Sequence, residues 1–239
     1  MQAGVFQKSL LRSDTASGRP RRAVGMQATR TAMAAEAAPA GAASNAERRA
    51  RRRRPDMANG ENRVISHIRT QMKSAHWLME ETISDVSDEM ARFAPPGKAL
   101  PIGAAYVHYV AGEDWMVHSL LKGVAPLMAG PWVGKTGVSD PQPGPGDDWA
   151  ARFEAWCRRV RVDLPAFRAY AKAVYEATDG YLASLADADL SREADLSAMG
   201  MGKQTVGFVL NNALLGHAYC HCGEISAMKG VQGKKGYPF

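Results

Sequence analysis

No apolar run in the 239 residues approaches the roughly 18 needed to span a membrane as a helix. Cysteine is scarce: Cys157, Cys220 and Cys222 are an odd number and form no C-x-x-C pair. They build no disulfide framework, and a reducing compartment, the cytoplasm, is the expectation. No internal repeat and no convincing strand stands out. Acidic residues are few at one end only. Residues 1–56 hold 12 Lys and Arg against 4 Asp and Glu, a net of +8, and the whole chain carries +6. The remainder is therefore at −2, which excludes the broad basic surface that phosphate backbones require, so no nucleic acid is expected on the globular part.

The basic excess sits in residues 1–58, rich in Ala, Arg, Ser and Gly, without a sustained apolar period and with the run ERRARRRRPD. Such a segment cannot bury enough apolar surface to offset its ordering entropy and is expected to be disordered. It suits a basic arm touching nucleic acid, an Arg-rich transit peptide, or translated sequence upstream of a start at Met57. The abrupt change of composition at Met57 favours the third. A single domain is expected over 59–239.

The most informative stretch is TVGFVLNNALLGHAYCHCGEISAMKG, residues 205–230. Val206, Leu210 and Ala213 lead at steps of three and four to His217, His221, Glu224 and Met228, the period of one helix face. Thr205 is a plausible N-cap and Gly230 a plausible stop, which gives a helix of about 24 residues, roughly 36 Å. Histidines four apart place their Cβ atoms about 5–6 Å from each other, so both rings can reach one ion. The alternative is that each is a buried histidine bonded to a neighbour. Position 218 is alanine, so the HExxH pattern of zinc proteases, with its glutamate base, is absent. Cys220 can edge toward His217 as a soft ligand, but is read as a small buried filler.

The other segments read as helices too. Ile65, Ile68, Met72, Ala75, Met79, Ile83, Val86 and Met90 predict one helix over 62–93, ending before Pro95. His76 lies on its flank, a reserve ligand or a satisfied histidine. A second helix is expected over 102–122, stopped by Gly123. There Ala104, His108, Ala111 or Gly112, and Trp115 share a face, and small neighbours let another helix approach His108, the preferred third ligand. His118 is expected to be exposed, and Glu113 and Asp114 to be solvated, although one of them can orient a ligand imidazole. A connection with Pro126, Pro131, Pro141, Pro143 and Pro145 is long enough to cross the end of a bundle. Helical period returns at Trp149, Phe153, Trp156 and Val160, then at Phe167, Ala171, Val174, Thr178, Tyr181 and Leu185 behind an Asp163 cap. Residues 186–204 are read as a polar link.

With His108, Glu113 and Asp114 as H-x4-ED, a long connection, and His217, His221 and Glu224 as H-x3-H-x2-E, residues 62–239 resemble the DinB-like superfamily. The resemblance implies an all-α, up-down-down-up four-helix bundle that binds zinc or nickel through His108, His217 and His221. It implies further that a low-molecular-weight thiol can serve as cosubstrate, as in mycothiol-dependent maleylpyruvate isomerase and bacillithiol transferases, and that a homodimer can form. The basic extension is not part of the family pattern.

Two functions follow. Three neutral imidazoles would leave an ion with an open position for a thiol transfer or a small hydrolysis on a small-molecule substrate. A fourth ligand such as Glu224, His76 or Cys220 would instead close the site and mark a non-catalytic metal-binding or stress-associated structural bundle.

Overall fold

The computed structural model of the chain describes residues 62–144 and 146–239. The expected basic extension and the proposed start at Met57 lie outside them, as does Pro145. The described chain is mostly helical. Helix α1 is Arg63–Ile83 and α2 is Asp88–Arg92. Helix α3 is Ile102–Trp115, continued by a π-helical turn over Met116–Leu121. Helix α4 is Trp149–Arg159 and α5 is Leu164–Ala183. Helix α6 begins as Val206–Phe208, widens to a π-helix over Val209–Gly216 and returns to an α-helix over His217–Val231.

The apolar period on α1 does what it predicts: Ile65, Ile68, Met72, Ala75, Met79 and Ile83 are all buried. That face packs on α5 and α6, and α3 packs on the same two helices. The main core fills the space between them with Met79, Ile102, Tyr106, Tyr109, Phe167, Val174 and Ile225, and a second cluster closes around Ile65, Met72, Val117, Leu182 and Leu210. The Asp163 cap is present, accepting from the Ala166 amide at 3.1 Å with proline in the first turn behind it. Thr205 caps the start of α6 by accepting from Phe208 N at 3.1 Å. The helix runs one residue past the expected stop at Gly230.

Two expectations are corrected. The helix predicted over 62–93 is interrupted after Ile83, because Ser84, Asp85 and Ser87 offer the backbone local partners that compete with the helix. Ser84 Oγ donates to Glu81 O at 2.8 Å, and Ser87 Oγ accepts from Met90 N at 3.2 Å to cap α2. The interruption is fixed from across the fold by Lys229 of α6, only 3% exposed. Its Nζ donates to Thr82 O at 2.7 Å and to Asp85 Oδ1 at 2.5 Å. A cation there satisfies a late carbonyl of α1 and opposes the negative end of its dipole.

The polar link over 186–204 contains a hairpin where no strand was expected: β1, Glu193–Asp195, pairs antiparallel with β2, Lys203–Thr205. Three residues per strand are too few for alternation to be legible. Its turn uses Gly200 and Gly202 at φ 73° and 62°, a region that favours glycine. Leu196, fully buried against Val209, anchors it.

Replacing Lys229 by methionine keeps the stem but strands the Thr82 carbonyl, which costs about 1–3 kcal/mol. Urea unfolding of K229M is expected to show a loss of that size, and D85N, whose side chain is half exposed, a smaller one. Equal stability of K229M and wild type would refute this account of the break after α1.

Candidate metal centre

His108 projects from the middle of α3, and His217 and His221 from the first two turns of the last segment of α6. One ligand nitrogen from each lies within 4.8 Å of the other two. The Nε2 atoms of His217 and His221 are 2.8 Å apart, and those of His217 and His108 are 3.4 Å apart. The structure thus brings together the three residues singled out in the sequence. His108 and His217 are half-buried and His221 is buried.

Two local features make the meeting possible. The first is the lack of bulk on α3: a Cβ on Gly112 would lie 3.4 Å from His217 Cε1, so the ring takes up the space a side chain would need. The second is the π-helical segment before His217. An unbroken 3.6-residue period puts Ala213 on the buried stripe, but Leu214 is buried and Ala213 only partly so. From Leu210 the buried positions Leu214, Ala218 and Cys222 step by four. The wider turn absorbs that drift and keeps the histidines facing α3.

The ring nitrogens that point away from the cluster are already committed. His221 Nδ1 meets Glu224 Oε2 at 2.8 Å, and His108 Nδ1 meets Gln142 Oε1 at 3.0 Å. A carboxylate can only accept, so His221 carries its proton on Nδ1 and its Nε2 is bare when the ring is neutral. The side-chain oxygen of Gln142 faces His108 in the corresponding position. Two lone pairs then converge on His217, which has one Nε2 proton at most to give. A cation among the three satisfies all of them, and N···N separations near 3.3 Å follow from ligand distances of about 2.0–2.1 Å. The donor set therefore fits a divalent ion that takes imidazole.

Electrostatics favours the neutral, ligating form. Burial, with His221 nearby, pushes His108 down to about 4. Burial, then His221 and His108, holds His217 well below the ordinary imidazole value. The bond from His221 keeps the Glu224 carboxyl below its usual range.

None of the fourth ligands considered from sequence enters the cluster. Glu224 stands behind His221. Cys220 is exposed instead of buried, because it lies on the outer side of α6. His76 faces Glu113, with Nε2 at 3.0 and 3.1 Å from the two carboxylate oxygens, and stacks on Tyr175.

Three expectations for α3 were wrong. Glu113 and Asp114 are fully buried, and His118 is 4% exposed. Glu113 accepts from Tyr109 at 2.8 Å and Thr178 at 2.6 Å besides His76. Burial pushes its carboxyl up, but His76 and the hydroxyls outweigh that and hold it below the usual value. Asp114 takes the amides of Leu127 and Met128 at 2.9 and 3.0 Å and the Tyr170 hydroxyl at 2.6 Å, and His118 Nδ1, which bonds the Asp114 backbone carbonyl at 3.1 Å, lies 2.8 Å from Oδ1. Carboxylates with this many donors tolerate burial, and adjacency in sequence does not reveal the donors. The sequence marks neither Gln142 nor Phe153, whose ring meets His108 edge-on at 4.8 Å, as a site residue. Phe153 carried a helical period, whereas Gln142 lies in the proline-rich connection and had no signal at all.

No protein-family model matches the chain, and no curated protein matches it. Among solved structures it is similar to the crystal structure of a protein described as the conserved protein of a locus from Enterococcus faecalis. The TM-score is 0.58 at 20% identity, over 72% of this chain and 98% of that one. A likeness at that identity is one of fold.

His108 and His217 take up protons in the unfolded chain near pH 6.5 but resist them when folded. The folded state binds fewer protons in that window, so metal-free protein loses stability as pH falls from about 6.5 toward 4. In chelator, the urea midpoint of wild type is expected to fall more steeply across this range than that of the H108Q/H217Q double variant. Parallel profiles would contradict the neutral cluster.

Proposed function

We propose that the chain is a DinB-like protein in which α1, α3, α5 and α6 form an up-down-down-up bundle. His108, His217 and His221 hold one divalent ion, zinc or nickel, for a reaction on a small-molecule substrate. The observation that carries the reading is the convergence of three Nε2 atoms from two helices, with two of the opposite ring nitrogens already bonded. The contacts of α1 and α3 with both α5 and α6 support the bundle.

An ion with an open position supplies Lewis acidity that makes a water or a thiol nucleophilic near neutral pH. The protein's part is to keep the site open, oriented and sheltered. Among the described residues the cluster has three ligands and no fourth from His, Cys, Asp or Glu, which favours an enzyme over a closed, structural ion site. Glu224 orients His221. Phe153, with Trp149 stacked on it at 4.8 Å, gives His108 an apolar wall that suits a small organic acceptor and limits water. The reaction class is transfer of a low-molecular-weight thiol to an electrophile, or a small hydrolysis. The resemblance that underlies this reading goes with a cytoplasmic protein that can form a homodimer; no described helix is long and apolar enough to cross a membrane.

Elemental analysis of untagged protein after dialysis against trace zinc or nickel should give one ion per chain. His108→Ala, His217→Ala and His221→Ala should each lower that value severalfold, while the exposed His67→Ala leaves it unchanged. Near-zero metal in every sample would reject the centre. Stoichiometric metal with no metal-dependent turnover of thiol and electrophile would favour the non-catalytic bundle.

A further inference from the structure

The connection between α3 and α4 touches the cluster through Gln142. Gln142 Oε1 lies 3.0 Å from His108 Nδ1. The backbone on either side of Gln142 is fastened to α4 by side chains: Trp156 Nε1 donates to Asp140 O at 3.0 Å, Trp149 Nε1 to Pro143 O at 3.2 Å, and an Arg152 guanidinium nitrogen to Gly144 O at 3.1 Å. Farther along, Ser139 N donates to Arg161 O at 2.9 Å. Four attachments over six residues hold this strap in one place, so Gln142 meets His108 from a prepared position.

A neutral imidazole carries its proton on one nitrogen only, and whichever nitrogen faces a carbonyl keeps it. His108 has the edge of Phe153 on one side and the rings of His217 and His221 on the other. None of these rings accepts the His108 proton, since the single Nε2 proton of His217 faces the bare Nε2 of His221 at 2.8 Å, and Gln142 is the acceptor that remains. We propose that Gln142 is a positioning residue that fixes His108 as the Nδ1–H tautomer and turns its Nε2 lone pair into the cluster, making the strap over 139–144 a working part of the metal centre. The proposal rests on the three-histidine reading for its consequence, but the tautomer itself is a property of the metal-free protein. Outer hydrogen bonds of this kind raise ligand basicity and fix ring orientation, and losing one weakens metal binding about 10–100-fold.

The test has one arm without metal and one with it. Long-range proton–nitrogen spectra of the full chain, labelled in histidine and freed of metal, report which nitrogen of each ring is protonated, with H108Q to assign the signal. Wild type is expected to show His108 protonated at Nδ1. Q142L is expected to shift it toward Nε2, and Q142E, whose carboxylate can only accept, to restore the wild-type pattern. Against a chromophoric chelator, Q142L should bind zinc about 10–100-fold more weakly than wild type and Q142E at least as tightly as wild type. A structural role alone would lower the stability of Q142L without moving the tautomer or being rescued by the carboxylate. His108 protonated at Nε2 in wild type, or an unchanged tautomer in Q142L, would overturn the proposal. If Q142L does not fold, Q142E decides, since its failure to keep the Nδ1 proton would be equally fatal. Wild type that binds no zinc would refute the metal centre, and the metal-free spectra would still judge Gln142.

Discussion

Two adjacent carboxylates with no exposure, Glu113 and Asp114, are the constraint around which this fold is arranged. A buried carboxylate costs several kcal/mol unless donors surround it, and the donors come from α1, from α5, from α3 itself and from the connection that follows it. His76 of α1 and Thr178 of α5 serve Glu113 together with Tyr109 one turn back on α3. Tyr170 of α5 and the amides of Leu127 and Met128 serve Asp114. One short stretch of α3 thereby fixes the separation of α1 and α5 and the point at which the long connection leaves α3. The histidine cluster sits beside this frame. Tyr109, which donates to Glu113, lies with its ring centroid 6.0 Å from that of His217. A rigid frame of this kind keeps the three imidazoles in place.

The same logic runs outward from the cluster. Each histidine depends on a feature outside the cluster: His108 on the strap carrying Gln142, His217 on the missing side chain at Gly112 and on the π-helical turn before it, and His221 on Glu224. A site assembled in this way has its orientation decided by neighbours before a ligand arrives. Burial and the neighbouring rings hold His108 and His217 below the ordinary imidazole value.

Much of this was legible in the sequence, and the failures have physical causes. Apolar steps of three and four located α1, α5 and α6, and the i, i+4 spacing of His217 and His221 together with His108 on a small-residue face found the cluster. Periodicity reports which face is buried, but not what a polar residue meets there. So Glu113, Asp114 and His118 read as surface groups, although donors to the two carboxylates come from residues up to 65 positions away. The π-helical turn that moved Leu214 onto the stripe is invisible to a fixed period. The break after Ile83 depends on Lys229, 147 residues away from its partner Thr82. Gln142 had no spacing to mark it, because its role comes from where a strap happens to be fastened.

The central claim is that one ion is held by three imidazoles and by no other side chain. X-ray absorption at the zinc edge, on full-length protein loaded with one equivalent of zinc and desalted, tests it most directly. The account predicts a first shell with three imidazole nitrogens at about 2.0–2.1 Å and one light-atom neighbour, with one imidazole lost in each of H108A, H217A and H221A. A shell containing sulfur, a shell of oxygen alone, or zinc that does not survive desalting would contradict it.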